Sequence, residues 1–387
     1  MPSGFLERKR WAITALWSAP ALAYSPLDPK KLATRVGSWL RAEGPDTDVV
    51  VSCRVRLARN VAGHPFMSRL GEEEAIGLAD QVRLPLLDAR LDGETWWVPM
   101  GEASPVLRLL LRERNLVSRD LCPGDGETPP LPGRVLACGE SETVSVMVNE
   151  EDHLRLQAFS SGFDLDLAWQ RAQVLDRYLE TRIDYAYTEK LGYLTGCPTN
   201  VGTGLRASVM LHLPALGMVR GELEKVFHAA QRTGLAVRGM YGEGSRAAGD
   251  LFQISNQVTL GRTEPQLVDD LRALVPEIIA FERRVRDALV EEQEAALRER
   301  VTRSLMTLRA ARALPTESAL AHLSNLRLGL HLGLFDGPDL GTLNELGVLV
   351  QKGHIHAVSP DAPDPGLLDP SERDKLRAGL LRSRLAI

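Results

Sequence analysis

The sequence predicts an α+β protein, a strand-rich first part followed by an all-helical one, and three observations carry that prediction. Short apolar runs bounded by glycine, proline and acidic turns recur between Val49 and Ser255. Between them lie stretches with apolar residues at helical spacing, such as Leu165, Ala168, Ala172, Leu175 and Leu179. From Glu264 onward strand formers become scarce and Leu/Ala/Arg/Glu stretches take over, which places a domain boundary near residue 262. With 387 residues the chain is long enough for two domains, 26–262 and 263–387, and a large core.

Residues 1–25 stand apart. Arg8, Lys9 and Arg10 precede the apolar stretch Trp11 to Ala23, the outline of a secretory signal, but Pro20 and two tryptophans interrupt it. The reading is a poorly ordered extension, with a signal segment or a misassigned start as alternatives. Pro29 to Trp39 is a short helix, Gly44-Pro45-Asp46 a turn, and Val49 to Leu57 a strand. Helices over Glu72–Leu91 and Ser104–Asn115 flank a short strand, Thr95–Val98, and Cys122–Gly133 is a loop. Strands start at Val135 and Val144, and Leu154–Phe159 is another; Asp164 caps a helix running to Ile183. Cys197 to Ser208 is a turn-rich loop entering a strand at Val209–Leu213, followed by a helix over Met218–Arg232. The glycine-rich Val237–Gly249 reads as a loop that closes over a ligand, ahead of a strand at Leu251–Ser255. Leu267 to Ala313 is one or two helices interrupted at Pro276; helices Ser318–Leu330, Leu340–Val350 and Ser371–Leu385 follow, with a mobile proline-rich link at Asp361–Asp369.

Composition narrows the function. A formal net charge of −5 gives no sign of direct nucleic-acid binding. Four cysteines without CxxC pairing or metal-ligand spacing suit a reducing, cytoplasmic setting, and no apolar run approaches the ~20 residues of a membrane span. Neither GxGxxG nor GxxxxGK[ST] occurs, so neither a Rossmann nor a Walker site follows.

The chemistry-bearing residues are cationic and acidic. Arg54 and Arg56 are two apart on a strand, so both face the same way and repel unless an anion sits between them. Asn149 to Arg155 reads Asn-Glu-Glu-Asp-His-Leu-Arg between two strands; such a charge run is usually a solvated loop, but a strand edge can aim it into a cleft. With Arg206 and Arg238 beside strands and glycines, five arginines could hold a polyphosphate together with magnesium. Glu150, Glu151 and Glu243, with the thiol of Cys197, suit a positively charged acceptor. The combination suggests phosphoryl transfer from a nucleotide to a basic group.

Four segments, Ser52-Cys53-Arg54-Val55-Arg56, Asn149 to Arg155, Cys197 to Ser208 and Arg238 through Glu243, resemble the ATP:guanidino phosphotransferase (phosphagen kinase) family in its own order. The resemblance implies a catalytic domain with a mainly antiparallel sheet flanked by helices, and an ATP site of Ser52, Cys53, Arg54, Val55, Arg56, Arg155, Arg206, Ala207, Ser208, Val209, Met210, Arg238, Gly239, Met240, Tyr241, Gly242 and Glu243. It implies that Glu151, with Glu150 and Glu243, orients the acceptor guanidinium and takes its proton while Cys197 holds the other side. Cys53 stands where serine is common, and Asn115 near the place of an adenine-side histidine.

Within the family the likeness is to the bacterial branch acting on arginine side chains of proteins. Met210 stands where small-molecule kinases carry histidine, and the tail Arg373-Asp374-Lys375-Leu376-Arg377-Ala378 looks like that branch's phosphoarginine pocket. The helical domain that precedes the catalytic domain in creatine and arginine kinases has no counterpart in the chain. The implied partners are proteins with exposed arginines, a heat-shock repressor, a zinc-binding activator, a Clp chaperone-protease and a second copy of the chain. The alternatives are a kinase for free arginine or another small guanidine, and a non-catalytic phosphoarginine-binding adaptor.

Overall fold

The computed structural model describes residues 27–123, 128, 130–239, 248–359 and 367–385. The expected extension 1–25 and most of the proline-rich link lie outside them. After α1 (Pro29–Ala33) come β1 (Val50–Arg59), α2 (Glu72–Asp88), β2 (Thr95–Pro99), α3 (Pro105–Glu113), β3 (Val135–Gly139), β4 (Val144–Val148), β5 (Leu154–Ser161) and α4 (Leu165–Glu180). A small hairpin, β6 (Tyr187–Thr188) and β7 (Gly192–Tyr193), leads to β8 (Leu205–His212), α5 (Pro214–Met218), α6 (Arg220–Arg232), β9 (Leu235–Gly239) and β10 (Leu251–Asn256). Five helices close the chain: α7 (Glu264–Ala310), α8 (Thr316–His331), α9 (Leu340–Leu349), α10 (Lys352–Ala357) and α11 (Pro370–Arg384).

Eight strands form one sheet in the order β2-β3-β4-β5-β1-β8-β10-β9, every neighbouring pair antiparallel. This is the antiparallel α+β sheet with a helical C-terminal part that the sequence predicts. On β1 the period of two decides everything: Cys53, Val55 and Leu57 are fully buried on one face, while Arg54 and Arg56 point to the other. The apolar face packs on α2, α4, α6 and the first half of α7 in one core. The opposite face is covered at one end by α1, α3 and α10, and leaves a cavity at the other. The second half of α7 packs with α8, α9 and α11 in a separate cluster.

Several local expectations need correction. The helix of 47 residues runs through Pro276, and its non-helical residue is Gln293 (φ −142°, ψ 30°). Val275, Ile278 and Ile279 are anchored in the main core on both sides of Pro276, so packing offsets the lost hydrogen bond and ring clash, together about 3 kcal/mol. Residues 205–208 are strand rather than loop, because β1 pairs with all four and β10 joins from the other side at Ser208. Val237 to Gly239 is likewise strand. The helix expected over Met218–Arg232 is α6, which starts at Arg220; the short α5 ahead of it and α10 were not foreseen. Among the described residues no helix is long and apolar enough to cross a membrane.

Candidate active site

The register of the central strands lines up the arginines. Gln157, Arg56 and Arg206 stand side by side across β5, β1 and β8. The next row holds Phe159, Arg54, Ser208 and Ser255, and the next Ser52, Met210, Gln253 and Arg238. A cavity of about 580 Å³ opens on this face, and Ser52, Arg54, Arg56, Arg206, Met210 and Arg238 line it. The partners that alternate with them, Cys53, Val55, Ala207 and Val209, are fully buried on the far face. This corrects their expected place in a nucleotide site: a strand can present only every second side chain to one ligand. Gly239 lines the cavity; Met240, Tyr241, Gly242 and Glu243 lie outside the described residues.

The cluster is electrostatically incomplete. Burial, then Arg206 and Arg155, pulls the Arg54 guanidinium down to about 10. Burial and the neighbouring Arg54, Arg155 and Arg206 hold Arg56 well below the usual range, with Glu150 opposing. Arg56 Nε is buried without a hydrogen-bond partner among the described residues. Arg54 lies 5.8 Å from the Phe159 ring, which stacks on Trp39 at 5.3 Å. Asn115 lines the same cavity; its carbonyl accepts from Gln157 Nε2 at 3.1 Å. Polyanionic phosphate is the group these residues fit: it would relieve the mutual repulsion and satisfy the bare Nε.

The acidic run forms the tight turn between β4 and β5. Asn149 takes φ 57°, and its side-chain amide donates to the carbonyls of Ala75 and Gly133, both at 2.8 Å. Glu150 is buried and closed on itself: Arg155 and Ser118 donate to Oε1, and the Glu151 N–H donates to Oε2 at 2.9 Å. Glu151 is the open one. Its carboxylate meets Arg155 at 3.1 Å and lines a second cavity of about 300 Å³, beside Arg155, Cys197, Asp120, Thr199 and Asn200. Burial raises the Glu151 pKa above its ordinary value, with Arg155 opposing and Glu150, Asp152 and Asp120 adding to the rise. Arg155, expected on the phosphate side, holds both carboxylates and borders only this smaller cavity.

One fully buried residue ties the two walls together. Asp152 Oδ1 accepts from Asn60 Nδ2 and from the Gly196 N–H, each at 2.6 Å. A Cβ at Gly196 would lie 2.9 Å from the Glu151 carbonyl, so only glycine lets the Cys197 loop approach this closely. Cys197 is partly exposed, its Sγ 3.0 Å from Thr199 Oγ1. His153 Nδ1 accepts from the Val61 N–H at 3.0 Å and Nε2 donates to the Pro65 carbonyl at 2.9 Å, and burial pushes its pKa down to about 4. It is a neutral brace rather than a reacting group.

The first family description to match is "ATP:guanido phosphotransferase, C-terminal catalytic domain", over residues 88–285. "Protein-arginine kinase McsB C-terminal domain" matches residues 294–387. A protein-arginine kinase of Bacillus velezensis is 42% identical over 352 residues, 90% of this chain and 93% of that one. The chain belongs to this family. A protein-arginine kinase of Halothermothrix orenii is 41% identical over 350 residues, covering 90% of this chain and 96% of its own. Among solved structures, a duplicated taurocyamine kinase from Schistosoma mansoni with bound transition-state-analogue components aligns with a TM-score of 0.56 at 26% identity, over 65% of this chain and 35% of that one. A lombricine kinase shares the fold, with a TM-score of 0.53 over 65% of this chain and 70% of its own.

The tail segment lies away from both cavities, on α11. Arg377 is buried and its donors are engaged: Nε with the Val350 carbonyl at 2.6 Å, and one terminal nitrogen with the Leu314 carbonyl at 2.7 Å and Asp374 at 2.6 Å. Arg373 donates to the Leu368 carbonyl; Lys375 is exposed, Leu376 half-buried and Ala378 fully buried. The expected pair of phosphate-binding arginines is therefore divided between a half-buried Arg373 and an Arg377 that stitches α11 to α9. Sequence reasoning also missed the far wall of the larger cavity, to which α8 and α9 bring Leu320, Arg327 and Asn344. Nothing local signals them, since Arg327 reaches the Thr47 carbonyl across 280 residues, at 2.7 Å.

Proposed function

We propose that this chain transfers the γ-phosphoryl group of ATP to arginine side chains of other proteins. The observation that carries the reading is a shared wall: Arg56, Arg206 and Arg238 border both cavities. The larger cavity takes the nucleotide with its triphosphate toward these guanidinium groups, and the smaller takes the acceptor guanidinium against Glu151 and Cys197. An arginine side chain has a pKa above about 12 and is a poor nucleophile until it loses a proton. Glu151 accepts that proton as the N–P bond forms and the bond from the γ-phosphorus to the bridging oxygen breaks, releasing ADP. Its raised pKa makes it a stronger base than a solvated carboxylate. Glu150, held by Ser118, Arg155 and the Glu151 N–H, positions the pair rather than reacting.

Cys197 holds the acceptor from the opposite side, and Glu243 joins the site on the strength of the family likeness. Magnesium would neutralise phosphate charge and be held through the phosphate oxygens, the usual mode for this ion. Arg54, Arg56, Arg206 and Arg238 hold the rest of the triphosphate. A cytoplasmic location, a phosphoarginine-responsive site at Arg373 and Asp374, and assembly as a homodimer belong to the same reading. So do marking of misfolded proteins for a Clp protease, control of a heat-shock repressor and a zinc-binding activator. Purified protein with ATP should form acid-labile phosphoarginine on an unfolded protein, detected by mass spectrometry without acid treatment. Efficient phosphorylation of free arginine with no modification of proteins would assign it to small guanidines instead.

A further inference from the structure

Around the smaller cavity the chain exposes apolar side chains where a solvated loop would carry polar ones. Tyr187 is 57% exposed, Leu191 40%, Val258 59% and Leu260 50%. They come from two segments that flank the cavity's own loop. On one side the β6–β7 hairpin joins it: the Tyr193 N–H donates to the Gly202 carbonyl at 2.8 Å, and the Gly202 N–H returns to Tyr193 at 3.3 Å. On the other, Thr259 Oγ1 donates to the carbonyls of Thr199 and Val201 at 2.9 and 2.7 Å. Gly202 makes this stacking possible; with φ 112°, a Cβ there would lie 2.8 Å from the Thr259 carbonyl. The segment between them supplies Cys197, Thr199 and Asn200 to the cavity.

A two-stranded ribbon this short is marginal alone. Here it is pinned from beneath, with the Arg59 guanidinium 3.5 Å from the Tyr193 ring and Tyr187 edge-on to the same ring at 5.4 Å. The apolar side chains therefore sit on a fixed platform. The rest of the lining is mixed: Glu151 and the exposed Asp120 are its acids, and Arg56, Arg155, Arg206 and Arg238 its cations. Exposed apolar side chains on a fixed frame, two on each flank of the Cys197 loop, mark a binding face. Its place beside the cavity where the Glu151 carboxylate is open says what binds: a chain that offers a guanidinium to Glu151 and apolar groups beside it.

We infer that this rim docks the polypeptide on either side of the target arginine, taking extended segments with apolar residues two positions before and after it. The inference rests on the acceptor reading above. In an extended chain, residues two apart point the same way and lie about 6.7 Å apart. An arginine inserted into the cavity thus turns its second neighbours onto the flanking segments. A folded surface rarely presents that pattern, so the rim selects unfolded segments.

The test uses the full chain and two heptapeptides with a central arginine, one carrying leucine and one serine at the second positions either side. The expected result is kcat/KM about tenfold higher for the leucine peptide, through KM. A Tyr187→Ser, Leu191→Ser, Val258→Ser, Leu260→Ser variant should bring both peptides to the serine value with kcat on the serine peptide unchanged. Equal use of the two peptides by the wild type, or a preference that survives in the variant, would overturn the inference. So would a change of oligomeric state in the variant with peptide preference intact, which would make the face a contact between copies of the chain. Phosphorylation of free arginine but of neither peptide would instead overturn the acceptor reading, and the docking surface with it.

Discussion

Replacing Glu151 by glutamine separates its proposed chemistry from its contacts. The amide keeps the size of the carboxylate and an oxygen for Arg155, which stands 3.1 Å away. It cannot take a proton from an attacking guanidinium. Loss of a positioned base costs about 10²- to 10⁴-fold in turnover, or roughly 2.7–5.5 kcal/mol of barrier. Stability should move little: the Glu151 side chain is 38% exposed, so its ion pair is worth below about 1 kcal/mol. Nucleotide affinity should also hold, because Glu151 lines the smaller cavity and not the larger. The assay pairs calorimetric titration with ATP against phosphoarginine mass spectrometry of a protein substrate in a quenched time course. Unchanged ATP binding with turnover reduced at least about a hundredfold is expected. Turnover near that of the wild type would remove Glu151 from the chemistry, and lost ATP binding would refute the division between cavities.

Three more outcomes follow from the same geometry. Arg56→Ala should weaken ATP by about ten- to a hundredfold, the worth of one charged hydrogen-bonding group, while thermal stability holds or rises because the half-buried Arg56 is crowded by other arginines; a fall in Tm with unchanged ATP affinity would count against it. Asp152→Ala leaves the Gly196 N–H without its acceptor and loosens the Cys197 loop, so stability should drop by about 1–3 kcal/mol and KM for the protein substrate should rise more than KM for ATP, both read from denaturant melts and initial rates. His153 titrates at about 4 when folded against 6.5 when unfolded, so the unfolded chain binds the extra proton between those values and stability is lost as pH falls through that window; His153→Gln should flatten this part of the Tm–pH curve.

What was legible in the sequence is what a short period can carry. Arg54 and Arg56 were readable as neighbours because strand geometry alone puts residues two apart on one face. The same rule, applied to Cys53, Val55, Ala207 and Val209, would have removed them from the ligand site, where family motifs had included whole segments. The Asn149–Arg155 run was readable as a turn at a strand edge. That Glu150 is spent inside and Glu151 is open was not, since the difference comes from Ser118, 32 positions away in the chain. Residues 205–208 looked like a loop because Gly202 and Gly204 precede them, and pairing with β1 along their whole length decided otherwise. The α8–α9 wall and the Asp152 clamp are long-range closures, which no local pattern records. In the tail, the motif was visible, but the burial of Arg377 between α9 and α11 was not.

The central claim is that donor and acceptor approach from two cavities and meet at Arg56, Arg206 and Arg238. A crystal structure with ADP, nitrate as a planar stand-in for the transferring phosphoryl group, and an arginine peptide tests it directly. The account predicts the nitrate among these three guanidinium groups, ADP in the larger cavity, and the peptide guanidinium within about 3 Å of the Glu151 carboxylate in the smaller one. ADP bound away from the arginine rows, or a peptide guanidinium that does not reach Glu151, would contradict it.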